Sequence, residues 1–289
     1  MWLLRFLKSN VLYILWFAFY FTIAWVLFGG NLQSLIIVSG IYAVSMGIAL
    51  SPIGEVLLRI LQGCREPKTE QERKYLLPLF EEVLEDAREV HSSLNKGIKI
   101  YIIDAMYVNA FAIGRKTVSV TRGALNTFSQ EQLKGLIAHE LGHMTYGHTK
   151  AMLLTTIGNL LFTLIVLILR IIVNIADGIT DIVMQINVAG MVFKFISLVT
   201  KIMFEASVFL FMNLGELILS FNSRVNEYEA DKFAYKIGYG KQLTSAMYIL
   251  QKISMGGKVK LTERLKASHP HIAKRIGRLE ELENVAFEE

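Results

Sequence analysis

From Ser9 to Gly54 the chain carries no Asp, Glu, Lys or Arg. Within that stretch Val11 to Phe28 and Leu32 to Leu50 are two almost unbroken apolar runs, each near the ~20 residues a helix needs to cross a bilayer core. Gly29, Gly30 and Asn31 provide the turn between them, so the pair reads as a helical hairpin in a membrane. Ser51 and Pro52 bend the second helix near its exit. A cleaved signal peptide would account for the first run alone, and no small-residue cleavage site follows it. The bulk composition points the same way. At 53% hydrophobic and 19% charged, the chain falls below the roughly one quarter of charged residues usual in soluble domains.

Apolar character returns at Ala151 to Leu169, bounded by Lys150 and Arg170, and again at Lys201 to Phe221, where Glu205 and Glu216 interrupt it. These are the third and fourth expected spans. Asp177 to Thr200 fits either an interfacial helix or an extension of a span. Arg5 and Lys8 precede the first span, and Arg59, Arg65, Lys68, Arg73 and Lys74 follow the second, while the intervening turn is uncharged. By the positive-inside rule both termini and the middle of the chain are cytoplasmic. The net charge of +5 sits beside apolar runs rather than along a stripe, which argues for a lipid bilayer as partner and against nucleic acid. Cys64 is the single cysteine; no intrachain disulfide is possible, as suits a reducing compartment.

The expected organisation is therefore a membrane hairpin over 1–64, a water-exposed part over 65–150, two further spans over 151–221 and a second water-exposed part over 222–289. In the first exposed part, Glu70 to His91 has Leu76, Leu77, Phe80, Val83, Leu84 and Ala87 at helical spacing. Ile98 to Ile103 and Thr117 to Thr121 alternate as strands, with Val108 to Ile113 between them and Gly114, Arg115 and Lys116 as a hairpin turn. Ser129 with Gln132 forms a capping box that opens a helix over Leu133 to Tyr146.

That helix carries His139-Glu140-Leu141-Gly142-His143. Residues four apart share a helix face, so the two imidazoles can grip one metal ion. Glu140 then stands beside the ion, where it can take a proton from a water whose pKa zinc lowers to about 7. A third protein ligand is needed to leave one position open. His148 is out of register for the extended H-E-x-x-H-x-x-G-x-x-H pattern, because Tyr146 and Thr149 stand where Gly and His are required. It is expected beside the site or at the helix end. Glu227 is the stronger candidate, and Asp231, four residues on, can accept the free ring N–H of a ligating histidine. Glu229 points away from that face and is expected in solvent. Val108 to Ile113 reads as an edge strand that can add a substrate peptide by backbone hydrogen bonds, with Asn109 helping to orient it, or as an ordinary hairpin strand.

Together, His139-Glu140-Leu141-Gly142-His143, the preceding Asn109-Ala110-Phe111-Ala112, the Glu227-Tyr228-Glu229-Ala230-Asp231 run and Ser268-His269-Pro270 occur in the order found in HtpX-like membrane metallopeptidases, relatives of the CAAX prenyl endoproteases. The chain resembles that family over nearly its whole length. It departs from it at His271, where the family has a second proline. The resemblance implies a gluzincin-type site with His139, His143 and Glu227 on one Zn2+ ion and Glu140 as general base. It also implies a role for His269 at the developing oxyanion and quality control of misfolded or damaged membrane proteins at the inner (plasma) membrane. The expected fold is mainly helical and integral to the membrane, with four spans and a cytoplasmic zincin-like α+β domain holding a small sheet. Two rivals come from other classes. A scaffold holding structural zinc would have no use for Glu140. A transporter would use Glu205 and Glu216, but four spans beside a large zinc-type domain disfavour it.

Overall fold

A computed structural model describes residues 14–15, 17–26, 28–92, 94–95, 97–156, 225–255 and 272–288, with shorter stretches at 164, 167–175, 178, 192, 194–199, 201–202 and 205–206. The architecture is mostly helical with one small mixed sheet. Helix α1 covers Phe17–Val26 and α2 covers Leu32–Leu50. Among the described residues α2 is the one helix long and apolar enough to cross a membrane. Its bounds are those of the second apolar run, fixed by an Asn31–Ser34 capping box at one end and Ser51 at the other. Tyr20 and Ala24 of α1 pack on Val38 and Tyr42 of α2, closing the hairpin. Ser51 also caps the next helix, α3 (Pro52–Leu61), with Pro52 in its first turn. Proline is tolerated there because its missing N–H would be unpaired anyway.

Most of the third and fourth expected spans and the 177–200 stretch lie outside the described residues. The parts that are described are helical at 167–175 and 194–199. They expose Leu167, Ile168, Ile171, Ile172 and Ile175. Arg170 Nε donates to Glu205 Oε1 at 2.7 Å, so the cation that bounds the third expected span pairs with one of the two acids that interrupt the fourth.

The sheet follows α3. Strand β1 (Cys64–Arg65) pairs antiparallel with β2 (Lys99–Ile103), β2 pairs parallel with β4 (Thr117–Thr121), and β4 pairs antiparallel with β3 (Ala110–Ile113). The order β1-β2-β4-β3 leaves β3 at an edge. Gly114 turns the β3–β4 hairpin at φ +59°, a conformation L side chains rarely adopt. The Glu55 carboxylate of α3 reaches this turn, accepting from Arg115 N and Lys116 N at 3.0 Å each and from Thr117 Oγ1 at 2.7 Å. The end of the α1–α2 hairpin is thereby pinned to the end of the edge strand.

One face of the sheet packs on helices α4 (Glu70–Val90), α5 (Arg122–Thr127) and α6 (Gln130–Tyr146). The chain continues in α7 (His148–Thr156), α8 (225–236), α9 (Gly240–Met255) and α10 (Ile272–Glu288). A single core unites Leu76, Phe80 and Val83 of α4, Ile100 and Ile102 of β2, Val118 and Val120 of β4, Leu133, Ile137 and Leu141 of α6, Phe233 of α8, Leu243 and Met247 of α9, and Ile276 and Leu279 of α10. Elements from both sides of the 157–224 stretch therefore build one body around α6.

Candidate metal centre

Helix α6 sits in the middle of that core. Its N-terminus is the expected capping box: Ser129 Oγ accepts from Gln132 N and Gln132 Oε1 accepts from Ser129 N. It ends at Gly147, whose φ of +78° closes the helix in the left-handed form. Between these ends His139 and Glu140 are buried. Gly142 sets how close the next element comes. A Cβ there would stand 2.9 Å from Ala230 Cα and 3.0 Å from Ala230 O. The absent side chain lets α8 lie directly on α6, and α8 carries Glu227 and Asp231.

The side chains that meet across this contact converge closely. His139 Nε2 is 3.1 Å from His143 Nε2 and 3.3 Å from Glu227 Oε2, and His143 Nε2 is 3.4 Å from Glu227 Oε1. One ligand atom from each of the three lies within 4.8 Å of the others. Zinc ligands at ~2.0–2.1 Å in a tetrahedron stand about 3.4 Å apart. The two imidazole nitrogens and the carboxylate thus fit a metal ion in donor type and spacing.

Asp231 completes the far side of His139, with Oδ1 2.9 Å from Nδ1. A residue the sequence reading missed, Arg275 of α10, ties the carboxylates together. Its NH1 lies 2.6 Å from Glu227 Oε2, its NH2 lies 2.6 Å from Asp231 Oδ1, and its Nε donates to Asp231 Oδ2 at 2.8 Å. Arg275 is only 6% exposed. The signal was present in the sequence: Arg275 falls between Ile272, Ile276 and Leu279 on the apolar stripe of its helix, where an unpaired cation would be costly.

The electrostatics separate the two imidazoles. Burial and the Arg275 charge oppose protonation of His139, but hydrogen bonds with Asp231 and Glu227 outweigh them and raise its pKa to about 9. Burial dominates at His143, where Glu227 gives partial support and His139 opposes, and the pKa falls to about 4. Burial also works against charge on Asp231, yet His139 and Arg275 hold its carboxyl below the usual carboxylate range. A cation entering the site displaces a proton from His139 and finds His143 already neutral.

His148 lies beside the site, its Nδ1 3.0 Å from His143 Nδ1. Glu229, expected in solvent, is half exposed and yet brings Oε2 to 3.1 Å from His148 Nε2. The expected substrate strand is present as β3, shortened to Ala110–Ile113, and packs against α6. Asn109 precedes it with an exposed side chain, and its N–H donates to Thr121 Oγ1 at 3.0 Å. Ala110 and Phe111 are half-buried and Ala112 is buried. His269 lies outside the described residues.

A helix presenting H-E-x-x-H to a carboxylate on a neighbouring helix defines a metallopeptidase centre. The family model for peptidase family M48 matches residues 74–283, and the chain belongs to that family. It is similar to the protease HtpX of Aliivibrio fischeri strain MJ11, 28% identical over 274 residues covering 88% of this chain and 84% of that one. It is also similar to the protease HtpX of Yersinia pestis strain Pestoides F, 26% identical over 267 residues covering 85% and 86%. Its fold matches the crystal structure of S. mikatae Ste24p with a TM-score of 0.50 at 19% identity, over 96% of this chain and 65% of that one.

Proposed function

We propose that the chain is a zinc-dependent endopeptidase that hydrolyses peptide bonds of misfolded or damaged membrane proteins at the cytoplasmic face of the inner (plasma) membrane. The observation that carries this reading is the tetrahedral spacing of His139 Nε2, His143 Nε2 and the Glu227 carboxylate, with Glu140 one residue from His139 on the same buried helix. Zinc held by these three side chains supplies Lewis acidity toward a scissile carbonyl and lowers the pKa of a water. Glu140 takes the proton of the attacking water and returns it to the leaving amine. Asp231 orients His139. The edge strand containing Ala110, Phe111 and Ala112, with Asn109 at its start, receives an extended peptide by strand addition. His269 stabilises the developing oxyanion.

The membrane placement rests on α2, on the apolar runs around it and on the basic residues that flank them. Four spans, with both termini cytoplasmic, accommodate these runs. The Arg170–Glu205 pair supports the third and fourth by neutralising a charge at the end of one against a charge within the other.

The test is Glu140→Gln in the purified full chain. Zinc content stays at about one ion per chain while cleavage of a model membrane protein falls by about 10²–10⁴-fold, the usual contribution of a general base. A Gln variant that cleaves at the wild-type rate ends the assignment of Glu140 as general base, and a zinc-loaded wild-type chain that leaves the substrate intact would give zinc a structural role instead.

A further inference from the structure

The two imidazoles of α6 are backed by different groups, and the backing of His143 points to a role for two residues outside the ligand set. His143 turns Nε2 toward Glu227 and His139, and Nδ1 toward His148 Nδ1 at 3.0 Å. His148 in turn directs Nε2 to Glu229 Oε2 at 3.1 Å. A cation on His143 Nε2 leaves one assignment of protons along this chain of contacts. If His143 Nε2 keeps its lone pair for a cation, Nδ1 carries the hydrogen and donates to His148 Nδ1. His148 then holds its own hydrogen on Nε2 and donates to the Glu229 carboxylate. The reverse tautomer of either ring sets two lone pairs or two N–H groups face to face.

The backbone is shaped for this contact. Residues five apart on a continuous α-helix point about 140° away from each other, so an unbroken α6 would carry His148 away from His143. Gly147, at φ +78°, ends the helix and starts α7 in a new direction. The Tyr146 ring lies at 31° to the His148 ring with centroids 5.9 Å apart and covers it on one side. The His148 side chain is 12% exposed and that of Glu229 48%.

We propose that His148 and Glu229 form a positioning pair for His143. Through hydrogen bonds alone they hold its ring in the tautomer and orientation that present Nε2 to the metal, while Asp231 does the same for His139. The inference rests on the zinc reading above. Neither residue is a ligand, and neither touches substrate.

The experiment measures zinc affinity of the full-length protein in detergent, by competition with a chromophoric chelator, for His148→Phe, His148→Gln, Glu229→Gln and the His148→Phe/Glu229→Gln double variant. Unfolding temperatures of the zinc-free forms are followed in parallel. Loss of an outer hydrogen-bond partner typically weakens metal binding by about 10–100-fold. His148→Phe is expected in that range, with the zinc-free unfolding temperature unchanged. His148→Gln, whose side-chain carbonyl can accept the same Nδ1–H, recovers most of the affinity. Glu229→Gln loses only a few-fold. The double variant is no weaker than His148→Phe alone, because Glu229 acts through His148. The proposal is overturned if His148→Phe binds zinc within twofold of wild type, if Gln is no better than Phe, or if the two losses multiply. A His143→Ala control separates the two levels of the argument: undiminished zinc binding there means that the metal site itself is misassigned, whatever His148 does.

Discussion

The two sides of this centre are fixed by opposite means. The side formed by α6, α8 and α10 is closed and charged. His139, Glu227, Asp231 and Arg275 are all buried and linked by contacts of 2.6–3.3 Å, and Gly142 brings the helix backbones into contact. The side formed by β3 is a sheet edge, with no strand beyond it among the described residues. It is held at its turn, where Glu55 accepts three hydrogen bonds and Thr149 Oγ1 donates to Gly114 O at 2.6 Å. Donors that must meet one cation tolerate errors of tenths of an ångström, which redundant ion pairs supply. A surface that accepts peptides of varied sequence needs its backbone groups unspent and only its ends anchored.

Disturbing the two sides separately tests that contrast. The largest effect is expected from Arg275→Met, which leaves Asp231 and Glu227 buried without their cation. Breaking a buried pair from one side costs about 3–5 kcal/mol, seen as a lower unfolding temperature of the zinc-free protein. Zinc recovers part of that loss, because it supplies the missing positive charge. If the zinc-free variant unfolds like wild type, the closed side is not held by charge.

Gly142→Ala comes next. Its methyl group meets backbone atoms of Ala230 that cannot step aside independently, so α8 shifts at a cost of about 1–3 kcal/mol. The same shift moves Glu227 from the imidazoles, and zinc binding weakens alongside stability. Unchanged zinc affinity would mean that the helix contact does not set the ligand spacing.

Glu55→Gln should be mildest and different in kind. The amide keeps one acceptor but loses charge-assisted bonds to the turn, so the edge strand loosens while the metal side stays intact. A KM a few-fold higher, with kcat and zinc content unchanged, is the expected signature of weakened peptide binding. A fall in zinc affinity would show the two sides to be one mechanical unit.

Much of the closed side was legible in the amino-acid sequence because it rests on local spacing. The i, i+4 placement of His139 and His143, the same spacing of Glu227 and Asp231, and the Ser129–Gln132 cap each follow from helix geometry alone. The limits of α2 were legible for the same reason, since the second apolar run lies between the turn residues Gly29, Gly30 and Asn31 and the Ser51-Pro52 pair, where the helix begins and ends. Contacts made between distant segments were not. Glu55 meets residues 60 positions or more further on. The parallel pairing of β2 with β4 skips the strand between them in sequence. Arg275 left a trace in its apolar stripe, but not the identity of its partners. The register of His148 placed it beside the site, yet the turn at Gly147 that brings it back over His143 is a tertiary outcome.

X-ray absorption at the zinc edge of the full chain, loaded with one equivalent of zinc, probes the ligand set directly. Two imidazoles and a carboxylate oxygen at about 2.0–2.1 Å are expected, with one imidazole lost in His143→Ala and the protein oxygen lost in Glu227→Ala. A coordination shell that is the same in both variants as in wild type would place the metal elsewhere and remove the basis of the enzymatic reading.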